Sequence, residues 1–277
     1  MKKANLFLIG AQKAGTTWLY KQLTDNPQIF GAWYKESHFF CSTGHCAKAG
    51  KFDISLYPPR GKVRYWIDCC VDYSVDLTSL DRIKNYNPDS KFLFIIRNPF
   101  ERMASAINMH NSKIGYRYTP QQILKADRSI VERSKYRQTL CWLKENISED
   151  NYLVVCNSQI SRRGSHVEDC LASFLQLPVR LSCDSIAVTH RFGVFGGFVF
   201  SVAGYLSKNP KMRWAYDLLN RKVLKRAIKS VLPLAPITNL ISSESVAELV
   251  FENDVRDLQE DWEASVSFAL NSQKRFR

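Results

Sequence analysis

One stretch limits the folds open to this chain more than any other: Leu8-Ile9-Gly10-Ala11-Gln12-Lys13-Ala14-Gly15-Thr16-Thr17-Trp18. An apolar run enters a loop with two glycines, and a helix-forming run follows. A strand, a glycine loop and a helix start, in that order, aim backbone N–H groups and the positive end of the helix dipole at one point, which makes a phosphate site. The glycines have the spacing G-x-x-x-x-G of nucleotide-binding loops. In the ATP-hydrolysing form of that loop a lysine directly follows the second glycine. Here Thr16 stands there, and the lysine, Lys13, lies inside the loop. No strand ends in an aspartate placed as a magnesium ligand, and the apolar strand Lys91 to Ile96 runs into Arg97 instead. Such a loop suits transfer of a group less negatively charged than phosphoryl, with a lysine and dipoles doing what Mg²⁺ does in a kinase. An ordinary strand-to-helix turn is the competing reading, and the placement of Lys13 and Thr16-Thr17 counts against it.

The rest of the chain supplies the sheet that this loop requires. Strands are predicted at Asn5 to Ile9, near Ile29, at Val63 to Ile67, at Lys91 to Ile96 and at Asn151 to Val155. Helices are predicted at Thr16 to Thr24, Leu77 to Tyr86, Pro99 to Asn111, Ser129 to Asn146, residues 166 to 175 and Glu244 to Trp262. Residues 41 to 62, rich in Gly, Lys and Pro, read as irregular. Lys91 to Ile96 is apolar on both faces, the mark of a buried parallel strand. Strands alternating with helices imply βαβ units. The expected architecture is α/β, a P-loop-type parallel sheet flanked by helices. It forms one domain over 1-277, with an α/β core (1-180) and a mainly helical C-terminal extension (181-277).

The 277 residues carry 39 Lys and Arg against 26 Asp and Glu, a net charge of +13 that favours anionic partners. The apolar run after Met1-Lys2-Lys3 is too short for a signal peptide, and no stretch reaches the roughly 18 apolar residues of a membrane span. A cytoplasmic protein with reduced cysteines is therefore expected. Gly193 to Leu206 lacks charge, and a basic helical stretch follows over Met212 to Val231. That stretch reads either as a solvated face or as a peripheral contact with anionic lipid at the inner membrane surface.

Three motifs resemble the sulfotransferases that use 3′-phosphoadenosine 5′-phosphosulfate. Gln12-Lys13-Ala14-Gly15-Thr16-Thr17 is similar to their 5′-phosphosulfate loop. Arg97-Asn98-Pro99-Phe100-Glu101-Arg102 with Ser105 resembles their 3′-phosphate site. Lys35-Glu36-Ser37-His38-Phe39-Phe40 looks like the K-E-x-H-F-F element of the carbohydrate branch, typified by heparan sulfate sulfotransferases and their bacterial relatives. A looser similarity continues through Tyr136 to Leu143 and Glu252 to Val255. The resemblance implies roles by position. Lys13 would stabilise the breaking phosphosulfate bridge, and Glu36 would be the general base, with His38 beside it. Gln12, Ala14, Gly15, Thr16, Thr17 and Trp18 would complete the donor loop, Arg97 and Ser105 would hold the 3′-phosphate, and Arg191 would come over the nucleotide from a late loop. Lys35 and His38 would line the acceptor side. A carbohydrate or glycolipid acceptor is implied, with no metal. In the glycosaminoglycan enzymes a strand end near E-K-T-P-x-Y supplies a second lysine. The matching stretch here is Asp68-Cys69-Cys70-Val71-Asp72-Tyr73, with Cys69 in the lysine's place.

Other readings compete. His38, Cys41, His45 and Cys46 are zinc-ligand types within nine residues, but their spacing fits no known zinc pattern, so thiols and imidazoles in an active-site loop are the expectation. Cys69-Cys70 reads as strand packing, since adjacent cysteines rarely reach disulfide geometry. Asp68 and Asp72 are alternative bases to Glu36, but strand-end capping or hydrogen bonding to the bound acceptor is the expectation for both. A small-molecule sulfotransferase shares Thr17-Trp18 and Arg97-Asn98-Pro99, but its histidine base and late G-x-W motif are missing. A P-loop kinase conflicts with the lysine position. A nucleic-acid binder would need a binding module, and none is recognisable.

Overall fold

The computed structural model describes residues 3–31, 35–42, 62–114, 118–160, 166–181, 241–250 and 252–276. Among them, five strands form one parallel sheet: β1 (Leu6–Gly10), β2 (Ile29–Gly31), β3 (Tyr65–Cys69), β4 (Lys91–Ile96) and β5 (Tyr152–Cys156), in the order β2-β3-β1-β4-β5. Helices α1 (Thr16–Thr24), α2 (Leu77–Tyr86), α3 (Pro99–Ile114), α4 (Pro120–Ala126), α5 (Ser129–Glu132), α6 (Arg137–Asn146), α7 (Asn157–Ile160), α8 (Val167–Leu175), α9 (Ser243–Leu249) and α10 (Glu252–Lys274) accompany it. The P-loop-type α/β architecture read from the sequence is the one present.

The reason lies in the strands. β1, β3 and β5 are buried at every position, so each must be covered on both faces. Phe7 shows how the layers knit: its ring meets Phe40 at 5.7 Å and Phe92 at 6.0 Å. From β1 the chain goes out to β2, returns to β3 beside β1, then crosses to β4 and β5 on the other side. That reversal opens a crevice at the carboxyl ends of the strands, where α/β sheets bind ligands. The Lys13 loop follows β1, Arg97 follows β4, and Cys70 follows β3.

The described part of the C-terminal region belongs to the core. α10 lies along β5, an edge strand whose outward peptide groups need partners. Ser272 Oγ accepts from the Val154 amide at 3.1 Å, and Gln273 Nε2 donates to the Val154 carbonyl at 3.0 Å. Asp261, also on α10, takes the Tyr136 and Arg137 amides on its two oxygens at 2.8 and 3.0 Å.

Several predicted boundaries move. β3 runs Tyr65–Cys69 rather than Val63 to Ile67, since its pairing with β2 starts at Tyr65. The helix predicted over Ser129 to Asn146 is two helices, because the chain turns at Tyr136 to give two amides to Asp261. The helix predicted over Glu244 to Trp262 is also two, with Val250 extended between them at φ −86°, ψ 142°. The uncharged run 193–206, the basic stretch 212–231, Arg191, His45 and Cys46 lie outside the described residues. Among the described residues no helix is long and apolar enough to cross a membrane.

Candidate active site

The glycine loop is shaped by its neighbours. Gly10 has φ +148°, and a Cβ there would stand 2.4 Å from Ser74 Oγ, so no side chain fits. Gly15 has φ +103° and starts α1 without any side-chain cap. The first-turn amides of Thr16 and Thr17 have no acceptor within the helix, as at every helix start, and point out of it. Asn157, the first residue after β5, donates Nδ2 to the Ala14 carbonyl at 2.7 Å and fixes the loop from the far side. Gln12, Lys13, Gly15 and Thr17 remain partly exposed, whereas Ala14 and Thr16 are buried. Trp18, at the start of α1, packs against the hydrophobic core.

Arg97 reaches this loop. Its Nη1 donates to the Lys13 carbonyl at 3.1 Å, and its Nε donates to Glu101 at 3.0 Å. Tyr136 holds the backbone there, donating its hydroxyl to the Arg97 carbonyl at 2.8 Å. Ser105 is half-buried on α3, about 9 Å along the helix axis from Pro99. Arg102 is fully buried, donating Nε to Ser134 Oγ at 2.6 Å and Nη2 to the Ile130 carbonyl. It braces the turn that carries Arg133, and burial lowers its guanidinium to about 10.

Residues 35–42 form a strap over the end of β3. The Glu36 amide donates to the Cys69 carbonyl at 2.8 Å, and its Oε2 accepts from the Val71 amide at 2.8 Å. Lys35 pairs with Oε1 of the same carboxylate. Lys35 also lies beside Cys69, whose thiol is pushed up to about 12 by burial against the opposing pull of Lys35. Lys35, carried on the strap, thus places a cation beside Cys69.

Beneath the strap, Tyr73 donates its hydroxyl to Asp68 at 2.8 Å. That spends its one proton, so Ser37 Oγ, 3.0 Å away, donates to Tyr73, and the Phe40 amide approaches it at 3.4 Å. Asp68 is 1% exposed, so it does not line the acceptor side as expected. It anchors the strap through Tyr73.

Asp72 sits between two cations. Its Oδ1 lies 2.5 Å from Arg133 Nη1, and its Oδ2 lies 3.1 Å from His38 Nδ1. His38 and Arg133 hold the Asp72 carboxyl down at about 2, and Asp72 pushes His38 up to about 9. A carboxylate so engaged is a counter-ion and not a base. Near His38 stand two buried thiols, Cys70 Sγ at 3.5 Å and Cys41 Sγ at 3.9 Å from Nδ1. A hydrogen bond from Cys70 holds the Cys41 thiol at about 6, assisted by His38, and raises Cys70 in return.

The fold thus gathers Lys13, Arg97, Glu36, His38 and Asp72 from separate segments at one end of the sheet. Sequence reasoning missed Asn157, Arg133, Tyr73 and Cys70. Asn157 was recoverable, since it follows a buried parallel strand at the ligand-binding edge. Arg133 had no local signal.

With this geometry in hand, comparison with known proteins is informative about the fold. A sulfotransferase from Alicyclobacillus acidocaldarius superposes with a TM-score of 0.55 at 19% identity, covering 66% of this chain and 83% of that one. A sulfotransferase domain of the Synechococcus PCC 7002 olefin synthase aligns at TM-score 0.49 and 14% identity, covering 94% of both chains. A sulfotransferase domain from the curacin biosynthetic pathway aligns at 0.48 and 14%, covering 65% of this chain and 76% of that one. No family model matches the sequence, and no curated protein matches it. The fold of this chain is that of the sulfotransferases.

Proposed function

We propose that this chain is a sulfotransferase that moves the sulfuryl group of 3′-phosphoadenosine 5′-phosphosulfate to a hydroxyl or amine of a carbohydrate or glycolipid acceptor. The observation that carries the reading is the bond from Arg97 to the Lys13 carbonyl, which joins a phosphate loop to a guanidinium at the switch point of a parallel sheet. Two anionic groups of one nucleotide, a 5′-phosphosulfate and a 3′-phosphate, suit that pair. The carbohydrate class rests on the resemblance of residues 35–40.

In this reading the amides of Thr16 and Thr17 receive the 5′-phosphate, and Arg97 with Ser105 receives the 3′-phosphate. The acceptor oxygen attacks sulfur as the bond from sulfur to the bridging phosphate oxygen breaks. Lys13 meets the charge that develops on that oxygen, and Glu36 takes the acceptor proton. Both oxygens of Glu36 already receive hydrogen bonds suited to a carboxylate, from Val71 and Lys35. His38 has its Nδ1 engaged by Asp72, so it serves as a cationic neighbour of the acceptor. The product nucleotide is 3′-phosphoadenosine 5′-phosphate.

The test is transfer of radiolabelled sulfate from the donor into a panel of glycans and glycolipids, with Lys13→Ala and Glu36→Gln as controls. Label in an acceptor with wild type and not with the variants supports the reading. Donor turnover with no dependence on either residue contradicts it.

A further inference from the structure

The cluster at the end of β3 holds two thiols that the proposed sulfuryl transfer does not use. His38 and Cys41 come from the strap and Cys70 from the sheet. Their Nδ1 and two Sγ atoms all lie within 4.8 Å of one another. Both cysteines are buried and free of disulfides. The sequence alone offered His38 and Cys41 with His45 and Cys46, a spacing that fits no zinc pattern. The fold brings in Cys70, 29 positions along the chain from Cys41, which no spacing rule could show.

The separations can be compared with those that a bound ion imposes. Zinc holds sulfur at about 2.3 Å and imidazole nitrogen at about 2.0–2.1 Å in a tetrahedron, which sets the sulfur-to-nitrogen edge near 3.5 Å. Nδ1 is 3.5 Å from Cys70 Sγ and 3.9 Å from Cys41 Sγ. Hard cations prefer six or more oxygen ligands, so calcium and magnesium are the wrong class for two thiols and an imidazole. Asp72 Oδ2 is 3.1 Å from the same nitrogen, close to the edge between two ligand atoms of one tetrahedral ion, and the carboxylate is held from its other side by Arg133. The strap is also strained: Glu36 and His38 have φ of +66° and +51°. Such backbone persists only where its surroundings over-determine it.

We propose that His38, Cys41 and Cys70 form a binding site for a zinc-class divalent ion, with Asp72 beside the fourth position. The ion replaces the thiol protons and any proton on Nδ1, and fastens the strap carrying Glu36 to the end of β3. The donor contacts assigned above involve none of these residues, whereas on the acceptor side His38 serves here as a ligand of the ion in place of a free imidazolium.

The experiment is titration of the full-length chain with Co²⁺, kept reduced with a non-chelating phosphine and first stripped with chelator. Tetrahedral visible bands and thiolate-to-cobalt absorption are expected at one equivalent, displaced by Zn²⁺. Cys41→Ser, Cys70→Ser and His38→Ala should each weaken Co²⁺ binding at least tenfold, while Cys141→Ser leaves it unchanged. His38 is half-exposed, so His38→Ala keeps the test valid if the buried Cys70→Ser fails to fold by circular dichroism. Absence of thiolate absorption in the reduced wild type overturns the proposal. So does a band that survives the Cys41→Ser/Cys70→Ser double variant and vanishes in Cys46→Ser.

Discussion

Arg97 Nη1 donates to the carbonyl of Lys13 at 3.1 Å, a bond across 84 positions of sequence. It couples the two ends of the crevice, because the side chain proposed to meet one phosphate also positions the loop proposed to meet the other. Glu101 and the hydroxyl of Tyr136 hold Arg97 from behind. Donor recognition in this account is therefore a property of the pair.

Glu36 is the residue on which chemistry, rather than donor binding, should depend. Glu36→Gln keeps the volume and the bond from Val71 but cannot take a proton. The expected result is a fall in kcat of about 10²–10⁴-fold. Affinity for 3′-phosphoadenosine 5′-phosphate should change less than about twofold, since no donor contact in this account involves Glu36. Steady-state kinetics beside calorimetry separates the two effects.

Asp261 should matter to stability and not to chemistry directly. It is buried and caps the start of α6 through two amides. Asp261→Ala leaves both without an acceptor, which costs roughly 2–4 kcal/mol. Asp261→Asn retains one oxygen and should lose about half as much. The urea midpoint at constant m-value measures this, and an unchanged midpoint in Asp261→Ala would show that α10 is dispensable to the core.

Asp76 supplies a pH-dependent contribution. It caps α2 by accepting from Thr78 and Ser79 and also takes the Ser42 amide at the end of the strap. Burial pushes its carboxyl up, but the bonds from Ser79, Ser42 and Thr78 outweigh burial and hold it below the usual range. A depressed folded-state pKa contributes stability above the unfolded value, near 3.8, and loses it as pH falls through the folded one. Asp76→Ala should therefore cost about 1 kcal/mol at neutral pH. That difference should shrink as the pH drops below 3.8. A difference that stays constant with pH would assign the loss to packing.

How much of this was legible in the sequence follows from what each feature depends on. The glycine loop and the strand before Arg97 are local, since their backbone chemistry is written within ten residues, and both appear where the pattern put them. Boundaries went astray where a distant partner decides them: Asp261 breaks the predicted helix at Tyr136 from more than a hundred residues away. Asp68 looked like an acceptor-side carboxylate because it sits at a strand end, but the strap that buries it through Tyr73 folds back from residues 35–42. Cys70 looked like strand packing until His38 and Cys41 were placed against it.

The most direct test of the central claim is calorimetric titration with 3′-phosphoadenosine 5′-phosphate and with ADP, without Mg²⁺, for wild type and Arg97→Ala. The account predicts that wild type prefers the 3′-phosphorylated nucleotide and that Arg97→Ala loses roughly ten- to hundredfold of that affinity, as loss of a charged hydrogen-bonding partner does. Equal binding of the two nucleotides, or tight binding of ATP only when Mg²⁺ is added, would contradict it.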